Sequence, residues 1–199
     1  MALSTYAELQ ASIADWWHHD QPSVVVDAIR IAESRFNRRL RAKRQEVGLS
    51  DTVINASYQI AIPSNTLAVK ALWRVEGTQK TYLEAAPLQE VESWQASGKL
   101  AGFYHFGTTF EFDGTGTVGG ILIRDIPALS TNSTNWVLTN YPEAYLYGAL
   151  TECMKWSRDS EGALMYETLF VAQMAEIQRI ENADGYSGPI RVRSGTNGP

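Results

Sequence analysis

Three histidines, one cysteine and a pair of carboxylates are where this sequence would have to do any chemistry. His18 and His19 are neighbours. On a helix, adjacent residues point about 100° apart, so the two cannot converge on one metal as an i, i+4 pair can. His105 stands alone in a strand-like segment, and there is no HExxH, CxxC or histidine–carboxylate cluster. No metal or cofactor is expected. Glu111 and Asp113 are spaced i, i+2, which puts them on one face of a strand and would let two carboxylates divide acid and base roles. The same alternation makes them the solvent face of a strand whose other face is Phe110 and Phe112. Cys153, the single cysteine, rules out an intramolecular disulfide, fits synthesis in a reducing cytosol, and reads as a small buried residue. The sequence contains neither G-x-S-x-G nor GxxxxGK[ST]. GTGTVGG (114–120) lacks the phosphate-loop lysine and leads into a strand, so it reads as a flexible β connection. The chain is not expected to be an enzyme, and the residual enzymatic alternative, a cell-wall hydrolase, rests on Glu111 and Asp113.

The elements that carry these residues follow from periodicity. Thr5 and Glu8 form an S/T-x-x-E capping box. Behind it Tyr6, Leu9, Ile13, Trp16 and Trp17 recur at helical spacing, predicting a helix through Trp17. Pro22 suits the first turn of a second helix. Its stripe of Val25, Ile29, Ala32, Phe36 and Leu40 predicts a run to about Arg44. From Val47 to Ile126 the period shortens to alternation broken by Gly, Pro, Asn and Ser. Strands are expected at 57–62, 67–75 and 120–126, with a hairpin over 103–113 and a short helix at 87–95. Helical period returns with Pro142 opening a third helix. Asp159 caps a fourth, striped by Tyr166, Leu169, Phe170, Met174, Ile177 and Ile180. The expected fold is therefore α+β but mainly α: a four-helix bundle of residues 1–46 and 127–183, a small antiparallel β module inserted at 47–126, and a flexible tail at 184–199.

Composition sets limits on function. With 199 residues, 44% hydrophobic and 20% charged, the chain reads as one soluble globular protein. It has no apolar run of the roughly 18 residues that a membrane helix needs, and MALSTYAELQ lacks the basic-then-apolar pattern of a secretory signal. The net charge of −5 conceals an asymmetry: Arg35, Arg38, Arg39, Arg41, Lys43 and Arg44 are six of the 17 basic residues, in a stretch without an acid. On a single helix they would surround the Phe36–Leu40 arc. Three readings stay open: a solvated face complementing the helix dipole, a surface for an acidic protein partner, and a contact with nucleic-acid backbone.

The segment IPALSTNSTNWVLTNYPEAYLYGALTECMKWSRDSEGALMYETLF (126–170) resembles the head-to-tail adaptor proteins of tailed bacteriophages, the podovirus type above all. The shared features are Ile126, Pro127, Ala128 and Leu129; Asn135, Trp136 and Leu138; and the string from Tyr141 through Pro142, Tyr145, Leu146, Tyr147 and Gly148 to Leu150. Asp159 and Glu161 follow in an acidic turn. MALSTYAELQASIADWW and AESRFNRRLR look like the same family's N-terminal region, while the central strands match only in general style.

The resemblance implies a structural virion protein at the portal vertex, present in the host cytoplasm during assembly. Such adaptors form a homo-oligomeric ring, usually a dodecamer, under the portal protein. They extend the DNA channel, with only non-specific proximity to the genome, and offer a surface to tail or nozzle proteins. Another connector component, such as a tail-completion or stopper protein, is the nearest alternative. Under this reading the basic segment meets portal, a neighbouring subunit or the DNA path, and the tail residues Gly185, Tyr186, Ile190, Arg191, Val192 and Arg193 anchor to portal. Pro127, Leu129, Trp136, Tyr141 and the Tyr145–Leu150 string build the bundle core or family motif.

Overall fold

A computed structural model describes residues 3–95 and 100–183. The capping box is formed: Thr5 Oγ1 accepts from the Glu8 amide at 3.3 Å and Glu8 Oε2 accepts from the Thr5 amide at 3.0 Å. It opens α1, Tyr6–Trp17, and α2 follows at Pro22–Arg39 with its proline in the first turn. Eight strands come next: β1 Glu46–Val53, β2 Gln59–Ala61, β3 Thr66–Glu76, β4 Gln79–Tyr82, β5 Glu84–Ala85, β6 Gly102–Phe106, β7 Thr109–Phe112 and β8 Thr117–Arg124. Helix α3, Leu88–Trp94, lies between β5 and β6. Helices α4 Trp136–Asn140, α5 Pro142–Trp156 and α6 Ser160–Ala183 complete the described chain.

The expectation of a mainly α four-helix bundle with a small antiparallel β module is overturned. Among the described residues the fold is mixed α/β, with six α-helices and two four-stranded sheets, ordered β1-β8-β3-β4 and β2-β7-β6-β5. The β part is large because the inner faces of both sheets meet in a hydrophobic core of their own. Leu72, Val118 and Leu122 come from one sheet, and Ile60, Phe103, Phe110 and Phe112 from the other. Nor is it wholly antiparallel, since β5 pairs with β6 in parallel. GTGTVGG is not a loose connection: Thr117–Gly120 already belong to β8, the strand between β1 and β3. A Cβ at Gly120 would lie 2.5 Å from Leu72 Cδ2 and 2.8 Å from the Ala71 carbonyl, so glycine there serves close strand packing.

The helical core is centred on α5, which touches α1, α2, α4 and α6. Burial of Ala144, Tyr145, Leu146, Ala149, Leu150 and Cys153 leaves α5 with little free surface, as expected of a helix apolar on several sides. Phe36 of α2 packs edge-on to Tyr145, with ring centroids 4.7 Å apart, and lies 5.6 Å from Phe170 of α6. At Gly148 α5 lies close against both α2 and α6. A Cβ there would stand 2.9 Å from Phe170 Cε2 and 3.2 Å from Ala32 Cβ. Overpacking costs about 1–3 kcal/mol, while alanine's better helix propensity returns about 1 kcal/mol. Gly148→Ala should therefore lower the urea midpoint, and Gly148→Leu should prevent folding. Two positions of the expected apolar stripes lie outside instead: Trp16 is 47% and Leu169 40% exposed.

Candidate assembly surfaces

The would-be chemical residues are all used structurally. Asp113 is buried, and its Oδ2 accepts from the Gly102 amide at 2.8 Å while Oδ1 accepts from that of Ala101 at 3.0 Å. It thus clamps the start of β6 and is not on the solvent face predicted for it. Glu111 accepts from Gln59 Nε2 across the β2–β7 pair at 2.9 Å. His18 caps α1 in the left-handed region, the His19 ring leans on Trp17 at 4.7 Å, and His105 bonds to the Gly107 carbonyl at 3.2 Å. Burial pushes the Cys153 thiol up to about 12, which removes the thiolate that reactivity requires. Among the described residues there is no cluster of three metal-ligating side chains.

The basic segment does not form one helical face. Helix α2 stops at Arg39 and Leu40 turns extended; the Arg41 guanidinium donates to the Asn37 and Leu40 carbonyls at 2.9 and 2.6 Å and so satisfies acceptors that the helix end leaves open. A 3-10 turn over Lys43–Gln45 follows. Arg35 faces inward, 8% exposed, bonded to Glu152 Oε1 at 3.2 Å and to Glu167, with its guanidinium 4.3 Å from the centre of the Phe170 ring. Arg44 reaches Glu181 Oε2 on α6 at 3.0 Å. Arg38 and Arg39 are exposed, as is Lys43. Six cations of one sign are thereby assigned to an internal bridge, a helix end, an inter-element pair and a solvent-facing remainder.

The string shared with phage adaptors is held by its backbone. Asn37 Oδ1 accepts from the Ile126 amide at 2.8 Å and Glu33 Oε1 from that of Leu129 at 2.7 Å, so α2 grips the return of the chain from the β part. Asn135 bonds on all sides: its Oδ1 caps α4 through the Val137 and Leu138 amides, and its Nδ2 donates to the Pro127 carbonyl at 2.8 Å and to the Tyr145 hydroxyl at 2.6 Å. Leu129, Tyr145, Leu146, Gly148 and Leu150 are buried; Trp136, Tyr141, Pro142 and Tyr147 are half-buried and Pro127 is exposed. Tyr141 hydrogen-bonds Glu181 at 3.0 Å and Tyr147 stacks on Tyr166, so both reach α6 in the same chain. Sequence reasoning missed Glu33 and Asn37, whose neighbours in sequence gave no sign of a partner about ninety positions away.

Burial raises the Glu33 carboxyl, against the lowering effect of the Leu129 amide, the Tyr145 hydroxyl and Arg30. A carboxyl raised on folding binds more protons folded than unfolded. Its stabilising contribution is complete below the ordinary glutamate value and is lost as pH rises through the folded one. The stability difference between wild type and Glu33→Gln should therefore shift in favour of the glutamine variant from pH 4 to pH 8, read from paired urea titrations.

The outer surface carries apolar groups without cover. Trp16, Ile31, Trp156, Leu164, Met165 and Val171 are each more than 40% exposed. Along the outside of α6, Leu164, Thr168, Val171, Ala175, Gln178 and Asn182 follow one another at steps of four and three, an uncharged row with coiled-coil spacing. Two grooves run beside it. One of about 680 Å³ is lined by Ile31 and Arg38 of α2, Leu164 of α6, and Lys155 and Arg158 at the end of α5. The other, of about 540 Å³, includes Arg39, Val171 and Arg179. No described helix is long and apolar enough to cross a membrane.

A comparison with curated proteins found no match. The family model described as SU10 adaptor protein matches residues 4–193, which takes in the capped first helix, both sheets and the backbone-held string. The chain therefore belongs to the SU10 adaptor protein family, a family of phage structural adaptors that are generally not enzymes.

Proposed function

We propose that this protein is a head-to-tail adaptor that assembles as a ring, twelve copies by the resemblance, beneath the portal. There it extends the DNA channel and presents the tail's attachment surface. The family match over residues 4–193 carries the reading. The exposed apolar groups of α1, α5 and α6 support it, because a chain that works alone rarely leaves such a surface uncovered. In this reading residues 1–46 with 127–183 and residues 47–126 act as two domains facing different layers of the connector. Gly185, Tyr186, Ile190, Arg191, Val192 and Arg193, proposed to anchor to portal, lie outside the described residues.

Negative-stain micrographs of purified portal mixed with this chain should show a second ring stacked on the portal. Failure to bind portal would favour a stopper or tail-completion role. Of the basic segment, Arg38 and Arg39 are the cations best placed to meet an acidic partner, a neighbouring copy or the DNA path. Their joint reversal to glutamate should leave the chain folded, with a modest loss from the uncompensated helix dipole, and weaken ring docking at least tenfold, about 1.4 kcal/mol. Docking at wild-type strength would remove them from the interface.

A further inference from the structure

A ring needs two different surfaces on each copy, one fitting the other, on opposite flanks and at one level; displaced levels would give a helical filament. Helix α1 packs on α2 and α5, whereas α6 packs on α5 and meets α2 through Glu167 and Phe170, with little or no contact between α1 and α6. The outer face of α1 and the α2–α6 groove therefore lie on different flanks. They also share a level. Trp17, beside Trp16, packs edge-on to Trp156 at 5.5 Å and its Nε1 donates to Ser157 Oγ at 3.4 Å, while the neighbouring Lys155 and Arg158 line the groove.

The two surfaces are opposite in charge, and each exposes apolar groups. Inside the groove Arg35, Arg38, Lys155 and Arg158 face only Glu152 and Glu167, and both carboxylates are bonded to Arg35. The groove is thus left positive, with Ile31 and Leu164 as apolar walls 43% and 70% exposed. Helix α1 holds Glu8 and Asp15 and no basic residue. Its exposed face offers Ala7 and Ala11, small enough for close approach, and then Asp15 and Trp16. Trp16, 47% exposed, has the size of an interface anchor.

We infer that the α2–α6 groove receives the outer face of α1 from a second copy, Trp16 lying between Ile31 and Leu164 with Asp15 toward the groove's cations. This helix-in-groove contact names the subunit interface of the ring proposed above and rests on that reading. The test is disulfide trapping in the full chain, assembled on the phage's own portal protein, with Cys substituted at Trp16 and Leu164. Both sites are exposed enough to leave the fold intact, and the buried Cys153 thiol is a silent background. The chain carrying both Trp16→Cys and Leu164→Cys should give, on mild oxidation, a ladder of covalent multimers rising to the complete ring. A mixture of the two singly substituted chains should give dimers only. A ring visible in micrographs with no ladder would overturn this interface and leave the ring standing, whereas absence of any ring on the portal would overturn both.

Discussion

Replacing Arg35 with methionine is expected to cost about 3–5 kcal/mol of stability, although the residue belongs to a segment whose composition suggests a surface. Arg35 joins α2 to α5 through Glu152 and to α6 through Glu167, and its guanidinium covers the Phe170 ring. Methionine keeps much of the stem's apolar contact. What it removes is the positive charge on which Glu167, already with one buried oxygen lacking a partner, depends. Glu152 fares better because Lys155 remains 2.8 Å away. Adding Glu167→Met to Arg35→Met should therefore recover most of the loss, since a well-packed apolar replacement for a buried ion pair is often neutral. Chemical denaturation of the three variants reads the result. If Arg35→Met unfolds at the wild-type midpoint, the bridge contributes nothing, and the exposed pair Arg38 and Arg39 would no longer be distinguishable from it by stability.

Asn135→Ala is the second large effect, at about 3 kcal/mol or more. The lost helix cap accounts for about 1 kcal/mol. Leaving the Pro127 carbonyl and the Tyr145 hydroxyl without the amide donor adds about 1–3 kcal/mol for each group that water cannot reach. Asn135→Asp separates the two roles of the side chain. A carboxylate still caps α4 but cannot donate to Pro127 or Tyr145, and it would sit in one network with Glu33. It should be destabilising at neutral pH and recover on acidification, when a protonated acid can donate again. Equal stability of Asn135→Asp and wild type across pH would show that the amide's donors carry no weight. Hydrogen exchange at the Leu129 and Val137 amides would locate the loosening.

Legibility in the sequence followed the range of the interactions. The capped start of α1, the proline opening of α2 and α5, and the β6–β7 hairpin are local events, with cap, turn and alternation inside a dozen residues. Strands β4 and β5 were missed because they are short, polar and exposed sheet edges, β4 even though it pairs with β3 across a tight turn, and β1 because its partner β8 lies far along the chain. Without them the β part looked like a minor insertion. The end of α2 was missed because Arg41, whose side chain satisfies the open carbonyls there, reads as one more surface charge. Asp113 matched the alternating pattern, yet two backbone amides eleven and twelve positions earlier draw it inward. The adaptor string was legible as a pattern but not as a device, since what holds it is a glutamate and an asparagine on α2 gripping peptide groups.

The two passages between the helical and β cores lie side by side and are fastened to each other. On the way out, Gln45 Nε2 donates to the Arg124 carbonyl at 3.1 Å; on the way back, the Ile126 amide is held by Asn37. A chain fastened at both its exit and its return carries load as a closed loop. Tension on either sheet would divide between two anchored crossings and reach the side-chain bonds at Gln45 and Asn37 before the packing around α5. The passage between the helical and β cores is thus pinned at two points, and removing either bond should leave it free to turn about the other.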